Sequence, residues 1–203
     1  MDFPIFNFPF SVNILDVVTT VLGLAYILLE YRASVWMWAV GFAMQTLGIV
    51  LYYQKGLYAD CGMEFYYLAM TMYGWWNWQK VPSLSGRAGG EVVHFPLRQA
   101  LLCTGVALAL WAFIYWLLVI YTNSNVPLAD SFTTALSIVG IWALARKYLE
   151  QWFIWIVVDV VTSALYFYKD IPFKASLYAL YVVIAILGYR RWKRMMRNEM
   201  ADK

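Results

Sequence analysis

Seven apolar stretches, each long enough to cross a lipid bilayer as a helix, follow one another along the chain. A helix rises about 1.5 Å per residue, so roughly 20 apolar residues cross the hydrocarbon core. Only one connection is long and polar, the segment 80–97, which is rich in Gly, Ser and Pro. The pattern predicts an all-α integral membrane protein with seven transmembrane helices, at residues 13–30, 33–53, 58–79, 98–121, 130–146, 149–168 and 173–192.

An internal repeat organises these spans. Residues 16–78 align with residues 130–192 without a gap, at a constant offset of 114, and thirteen of the 63 positions are identical. For a composition this biased, chance gives roughly four or five identities. Spans 1–3 and 5–7 are therefore predicted to be two copies of one unit, with span 4 as a linker. The identical residues include the polar or aromatic pairs Thr20/Thr134, Arg32/Arg146, Trp38/Trp152, Tyr52/Tyr166 and Trp78/Trp192.

The number of spans determines how the two units are oriented. Three spans carry the chain across the membrane and the linker carries it back, so both units enter from the same side. Such units are related by an axis along the membrane normal, as described for small sugar transporters of the SWEET type. The predicted architecture is a SWEET-like 3+1+3 arrangement of parallel repeats. Its parts are a first repeat at 1–79, a cytoplasmic loop with the linker helix at 80–121, and a second repeat with a basic tail at 122–203.

The composition makes the bilayer the solvent of this chain. Its 203 residues are 63% hydrophobic, 19% aromatic and 13% charged, and a soluble domain of this length cannot cover so much apolar surface. His94 is the only histidine, and Cys61 and Cys103 have no metal-binding or redox spacing. The sequence also contains no glycine-rich phosphate loop and no acidic metal cluster. We therefore predict no enzyme activity, no metal and no cofactor.

The positive charges fall almost entirely on one side of the predicted topology. Twelve Lys and Arg residues lie on the side of the carboxyl terminus, and only Lys55, Lys169 and Lys174 lie on the other. The positive-inside rule then predicts a cytoplasmic carboxyl terminus and an external amino terminus. Residues 1–11 contain no Lys or Arg, so they do not form the basic region of a cleaved signal peptide. The basic segment 190–197 is interpreted as an orientation signal at anionic lipid, and nucleic acid is not an expected partner.

Four spans carry a stripe of polar, aromatic or small residues at the spacing i, i+3, i+7, i+10, i+14. This spacing places all five side chains on one face of a helix. Gln45 and Asp159 are repeat equivalents near the centres of their spans, and Glu64 lies about one and a half turns inside the outer end of span 3. The stripes are Trp38, Gly41, Gln45, Gly48 and Tyr52; Glu64, Tyr67, Thr71, Gly74 and Trp78; Trp152, Trp155, Asp159, Thr162 and Tyr166; and Tyr178, Tyr181, Ala185, Gly188 and Trp192.

Acids inside a membrane need a partner, because a carboxylate in a spanning helix costs about 2.5–3.5 kcal/mol on insertion scales. No Lys or Arg lies inside the spans to pair with Asp159 or Glu64. A cationic ligand would supply the missing charge, and the Trp and Tyr rings of the stripes would add cation–π attraction.

Structural interpretations of the same residues stay open at this stage. The acids are then protonated or hydrogen-bonded groups without a ligand, and the stripe glycines serve close helix packing. Tryptophans near helix ends are usually anchors at the membrane interface, which is the role predicted for Trp36, Trp76, Trp78 and Trp192.

Span 3 carries a family resemblance. The segment LYADCGMEFYYLAMTMYGWWNW, from Leu57 to Trp78, resembles the signature of the bacterial Pnu vitamin transporters, whose pattern runs LYAD, a Leu-Gln pair, paired tyrosines and YGWxxW. The second half is also similar, with Trp152, Trp155 and the Tyr166–Lys169 segment ahead of Pro172. The resemblance covers essentially the whole chain.

The resemblance implies a seven-helix carrier in the bacterial inner membrane, often a homotrimer. It implies facilitated diffusion of an unphosphorylated vitamin, which a cytosolic kinase then traps. Glu64 stands where many members have Gln, and Asp159 stands where an amide is common. Added acids are compatible with nicotinamide riboside, a pyridinium cation, and with thiamine, a thiazolium cation carried by another branch of the family.

The expected substrate site lies between the halves near the membrane midplane. We expect Trp155 and Tyr67 to stack on an aromatic ring, Asp159 and Glu64 to oppose its charge, and Gln45 and Asn77 to bond polar substituents. The full set of predicted binding residues is Trp38, Gln45, Glu64, Tyr67, Asn77, Trp152, Trp155, Asp159, Tyr166 and Tyr181. More distant alternatives are a SWEET-like sugar carrier, a substrate-capturing subunit of an ATP-driven transporter and a purely structural membrane protein.

Overall fold

The computed structural model describes residues 12–54, 58–80, 91–122 and 124–201, and these residues form seven α-helices. The predicted spans agree with the helix ends to within three residues, except that α7 continues nine residues beyond the predicted end. The basic segment 190–197 is therefore helical. The expectations for residues 1–11 and for Lys55, Arg87 and Lys203 lie outside the described residues. The helices are α1 (Val12–Tyr31), α2 (Trp36–Gln54), α3 (Tyr58–Lys80), α4 (Leu97–Tyr121), α5 (Pro127–Ala145), α6 (Gln151–Tyr168) and α7 (Pro172–Ala201).

The helices match a multi-pass membrane protein. Among the described residues, α4, α5, α6 and α7 are long and apolar enough to cross a membrane. The linker α4 packs against α5 alone among the described helices and buries none of its residues. A helix that is apolar all round and unburied in the protein is suited to lipid on its free faces.

Two three-helix groups contact each other through equivalent pairs of helices. Within the groups, α2 packs against α1 and α3, and α6 packs against α5 and α7. Between the groups, α3 packs against α5 and α7 packs against α1. At the α3–α5 contact, Tyr66 Oη donates to the Ile138 carbonyl at 2.9 Å and Asn77 Nδ2 donates to the Ala145 carbonyl at 2.8 Å.

The turns after α1 and α5 have the same geometry. Ala33 and Lys147, which are separated by the repeat offset, both adopt left-handed backbone angles with φ of 51° and 56°. The Ala33 amide donates to the Glu30 carbonyl at 2.8 Å, and the Lys147 amide donates to the Leu144 carbonyl at 2.9 Å. This left-handed turn ends each helix and reverses the direction of the chain, so the next helix runs back beside it.

Four tryptophans form the core of one end of the bundle: Trp38, Trp78, Trp152 and Trp192, here called the tryptophan cluster. Their side chains are at most 1% exposed. Trp38 meets Trp78 edge-to-face with ring centroids 5.5 Å apart, and Trp152 meets Trp192 in the same way at 5.5 Å. Trp78 and Trp192 join the two pairs across the groups at 6.2 Å.

The burial of Trp78 and Trp192 contradicts their predicted role as anchors at the membrane interface. Trp36 and Trp76 are 67% and 56% exposed, as an anchor requires, but the prediction for Trp78 and Trp192 is wrong. Both belong to the interior stripes, and their position near a helix end does not turn them towards lipid. Trp38 of α2 packs on Gly74 of α3, where a Cβ would lie 2.4 Å from the ring. Trp152 of α6 packs in the same way on Gly188 of α7, where a Cβ would lie 2.5 Å from the ring.

A short segment ahead of α4 fastens the polar loop to the turn between α5 and α6. The Val93 amide donates to the Lys147 carbonyl at 3.2 Å, and the Leu149 amide donates to the Val93 carbonyl at 2.9 Å. The next residue, His94, pairs with the Glu150 carboxylate at 2.7 Å. These contacts hold the end of the loop against residues 147–150, which directly precede α6.

Candidate functional site

The predicted stripes face the interior of the bundle. In α2 the residues Trp38, Gly41, Gln45 and Gly48 are all buried, as the spacing predicts. In α6 the same holds for Trp152 and Asp159. The stripes of α2 and α6 therefore bring the repeat equivalents Gln45 and Asp159 into the protein interior and away from lipid.

Asp159 is the most unusual of these side chains. It is 6% exposed and lies seven residues, or about 10 Å, along α6 from Trp152. Among the described residues, none forms a hydrogen bond or an ion pair with its carboxylate. Tyr178 and Tyr181 of α7 lie within electrostatic range of it. A buried carboxylate without a partner is costly, so this position is suited to a ligand that brings a donor or a positive charge.

Further buried polar atoms lack partners within the described part of the chain. They include Gln45 Oε1, Thr71 Oγ1, Tyr26 Oη and Trp155 Nε1. Tyr26 and Thr71 both lie against Gly41, where a Cβ would be 3.0 Å from the Tyr26 ring and 3.4 Å from Thr71 Oγ1. Native proteins satisfy nearly all buried polar groups, so atoms of this kind indicate a place for water or a ligand.

Glu64 differs from Asp159 in its surroundings. Its carboxyl group packs on α2 at Gly48, where a Cβ would lie 2.8 Å from Glu64 Cδ. Glu64 also takes part in a further interaction within the protein, so it is not a partnerless acid. The argument for a cationic ligand consequently depends on Asp159.

Aromatic rings line the α6–α7 face beyond Asp159. Tyr166 stacks on Tyr178 with ring centroids 5.4 Å apart, and Tyr178 meets Tyr181 edge-to-face at 5.5 Å. The Tyr181 hydroxyl reaches α1, 3.6 Å from the position of a Cβ on Gly23. On α3, Tyr67 lies beside Tyr66 with centroids 5.7 Å apart.

Three predicted binding residues have structural contacts that the sequence did not indicate. The Asn77 side-chain amide is bonded to the Ala145 carbonyl, so its donor holds α3 to α5. Trp38 and Trp152 belong to the tryptophan cluster, and their indole nitrogens are buried without a partner among the described residues. These two rings close one end of the site and are not exposed in its middle.

A groove of about 360 Å³ opens between α2 and α3, and the buried stripe residues Trp38 and Thr71 form part of its wall. Its lining is almost entirely apolar, and two of its residues, Phe42 and Met72, are exposed. Asp159 and Gln45 are not among the residues that line this groove, so we do not assign the site to it.

Sequence reasoning missed three interior residues: Tyr26, Glu30 and Gln151. Glu30 is 4% exposed, and its carboxylate accepts a hydrogen bond from Gln151 Nε2 at 3.2 Å. Gly23, Tyr26 and Glu30 have the spacing i, i+3, i+7, the same signal that identified the other stripes. This spacing on α1 identifies Tyr26 and Glu30, whereas Gln151 lies on α6 just before the stripe and carries no such signal.

Comparisons with known proteins bear on the whole chain. A family described as "Nicotinamide mononucleotide transporter" matches residues 13–194. The riboflavin/roseoflavin transporter RibM of Streptomyces davaonensis is 29% identical over 192 residues, covering 91% of this chain and 86% of RibM. The nicotinamide riboside transporter PnuC of Escherichia coli is 24% identical over 213 residues, covering 93% of this chain and 89% of that protein. A crystal structure of the vitamin B3 transporter PnuC has the same fold, with a TM-score of 0.73 and 21% identity over 91% of this chain and 83% of that one.

Proposed function

The chain belongs to the nicotinamide mononucleotide transporter family, a family of membrane transporters and not of enzymes, and on that premise we propose that it carries a positively charged aromatic vitamin by facilitated diffusion. Nicotinamide riboside is the foremost candidate. Membership in the family also agrees with the resemblance of the α3 motif to the Pnu vitamin transporters.

One observation carries this proposal: Asp159 is buried midway along α6 with no partner among the described residues. A pyridinium ring would bring the missing positive charge. The Trp155, Tyr67 and Tyr181 rings of the interior stripes would stack on it and add cation–π attraction. Gln45 Oε1 and Tyr26 Oη would hydrogen-bond the ribose hydroxyls, while Asn77 serves the contact between α3 and α5.

Riboflavin is the second candidate, favoured by the 29% identity to a riboflavin/roseoflavin transporter. Riboflavin is neutral, so it would leave the Asp159 charge without a counterpart and would use that side chain only as a hydrogen-bond acceptor. Thiamine, another cation, is included in the test for the same reason as nicotinamide riboside. A neutral sugar, as in SWEET proteins, leaves Asp159 equally unexplained.

The proposed mechanism is alternating access around this site. The two halves are proposed to be parallel repeats, which is supported by the equal turns at Ala33 and Lys147 and by the matching tryptophan pairs. The tryptophan cluster would be the closed gate at one end. From the distribution of Lys and Arg we propose that this end faces the cytoplasm, where a kinase traps the vitamin, and that three copies assemble in the inner membrane.

Binding to the purified protein tests the substrate. We expect nicotinamide riboside to quench the intrinsic tryptophan fluorescence saturably, and Asp159→Asn to weaken that binding at least tenfold. A hydrogen bond to a charged group contributes about 1.5–3 kcal/mol, and 1.4 kcal/mol is tenfold in affinity. Thiamine is titrated in the same way, and riboflavin is followed by its own fluorescence.

Asp170→Asn is the matched control, because Asp170 is an exposed acid in the turn after α6 and the substitution removes the same charge. It should bind like the wild type. Saturable binding of riboflavin alone would replace nicotinamide riboside by the second candidate. Binding of none of the three vitamins would show that the proposed function is wrong.

A further inference from the structure

Glu30 stands at the junction of the two halves and of the tryptophan cluster. Its backbone carbonyl accepts a hydrogen bond from Trp192 Nε1 at 3.0 Å. Its carboxylate accepts one from Gln151, the residue immediately before Trp152. Glu30, the second-last residue of α1, is thus tied to α6 and α7 of the second half.

The charge of Glu30 is poorly compensated where it lies. The side chain is 4% exposed, and no Lys, Arg or His of the described residues pairs with it. One bond from a neutral amide offsets only part of the several kcal/mol that burial of a carboxylate costs. Gln151 is fully buried, and its Oε1 has no partner among the described residues. Two acceptors therefore lie together in the protein interior without a positive charge or an additional donor.

Packing does not require an acid at this position. The repeat equivalent of Glu30 is Leu144 on α5, which is fully buried in the same kind of turn. The second half therefore forms its contact with an apolar side chain. An acid that costs free energy where leucine is sufficient has a different role.

Glu30 and Asp159 lie within electrostatic range of each other. Gln151 and Asp159 are eight residues apart on α6, which corresponds to about 12 Å along the helix axis. Buried acids therefore extend from the middle of the interior to the inner side of the tryptophan cluster.

From this arrangement we propose that Glu30 is a second carboxylate for the same cationic substrate, and that it selects for positive charge as the substrate passes the tryptophan cluster. This inference rests on the proposed function. Asp159 would hold the cation in the middle of the protein, and Glu30 would receive it beside Gln151 before the cluster opens. Passage of a neutral molecule would not need Glu30.

The test compares a cation with its neutral counterpart. Nicotinamide riboside carries a pyridinium charge, and its dihydro form has nearly the same shape without the charge. Uptake of each radiolabelled compound into proteoliposomes is measured for the wild type, Glu30→Gln and Glu30→Leu. We expect both variants to lower the ratio of cation uptake to neutral uptake at least tenfold, because both remove the charge.

The ratio separates charge selection from a loss of structure. A variant that only folds less well loses both uptake activities together and keeps the ratio. Asp170→Asn, which removes an exposed charge outside the site, should also keep the wild-type ratio. Glu30→Leu copies the residue of the second half and provides a variant with a packing precedent if Glu30→Gln does not fold.

The outcomes distinguish this inference from the proposed function. If the wild type transports the cation and both variants keep its ratio, Glu30 does not select for charge and only the inference is wrong. If neither variant folds, Glu30 is a structural residue and the inference is wrong as well. If the wild type transports neither compound, the proposed function is wrong and the inference with it.

Discussion

Lys147 is a cation held in an unusual environment. It lies in the turn between α5 and α6, is 7% exposed, and its Nζ lies 4.4 Å from the centre of the Trp78 ring. Burial lowers the pKa of Lys147 to about 8, and the charge of Glu199 opposes part of this effect. The protonation state of Lys147 therefore affects its cation–π contact with Trp78, a ring of the tryptophan cluster.

Replacement of Lys147 by Met should change how stability depends on pH. The pKa of Lys147 is lower in the folded protein than the unfolded value of about 10.4, so the unfolded chain binds more protons between pH 8 and 10.4. The contribution of Lys147 to the free energy of unfolding therefore rises with pH across that window, by up to about 3 kcal/mol. Met removes the titration, so the melting temperature of the variant minus that of the wild type should fall from pH 8 to pH 10.4.

Lys193→Met is the matched control for this measurement. Lys193 also lies over an aromatic ring, that of Tyr189 at 5.7 Å, but it is exposed. Its melting temperature should follow that of the wild type in parallel over the same pH range. A parallel curve for Lys147→Met would contradict the predicted role of burial.

Single residues show what the sequence could predict of the site. Gln45 and Asp159 were located because helix periodicity assigns a face to each residue, and the face is buried. The bonds of Asn77 to Ala145 and of Glu30 to Gln151 join residues 68 and 121 positions apart. Local spacing carries no information about such partners, so Asn77 was predicted to bind the ligand and Glu30 was missed.

At the scale of the helices, Gly188 sets the distance between α7 and α6. A methyl group there would lie 2.5 Å from the Trp152 ring, which is buried and cannot turn aside freely. Gly188→Ala should therefore destabilise the protein by about 1–3 kcal/mol, the usual cost of overpacking. Thermal unfolding in detergent measures this loss.

Gly105→Ala tests the opposite case in α4. Nothing lies within 4 Å of the position of its Cβ, so the methyl group meets open space. Alanine favours a helix over glycine by up to about 1 kcal/mol, and this variant should be as stable as the wild type or slightly more so. Equal losses in Gly188→Ala and Gly105→Ala would show that the contact with Trp152 does not control the packing.

The bounds of the helices were largely predictable because the bilayer sets the length of an apolar run. The exception is the end of α7, which continues to Ala201 through a basic segment. Hydropathy reports where lipid ends and does not report where helical hydrogen bonding ends. The backbone contact between Val93 and the turn at Lys147 was not predictable either, because it joins residues more than 50 positions apart and does not depend on their side chains.

At the scale of the whole molecule, the chain provides two helix groups and a linker without an ATP-binding motif. We expect the purified polypeptide alone to take up nicotinamide riboside into liposomes, down its gradient and without ATP. The influx should saturate and should be accelerated by unlabelled substrate inside the vesicles, because a carrier returns faster when loaded. Uptake that requires a second protein or ATP would instead support a substrate-capturing subunit of a larger transporter.

The bond from Trp192 to the Glu30 carbonyl has a consequence for biogenesis. Its two ends are 162 residues apart in the chain. The ribosome adds about 5–20 residues per second, so on the order of 10–30 s pass between the synthesis of Glu30 and that of Trp192, the donor of this bond. During that interval Glu30 lies in the translocon or in lipid without its partners on α6 and α7. Substitutions in the final helix that remove this contact should therefore lower cellular abundance as much as substitutions in the first.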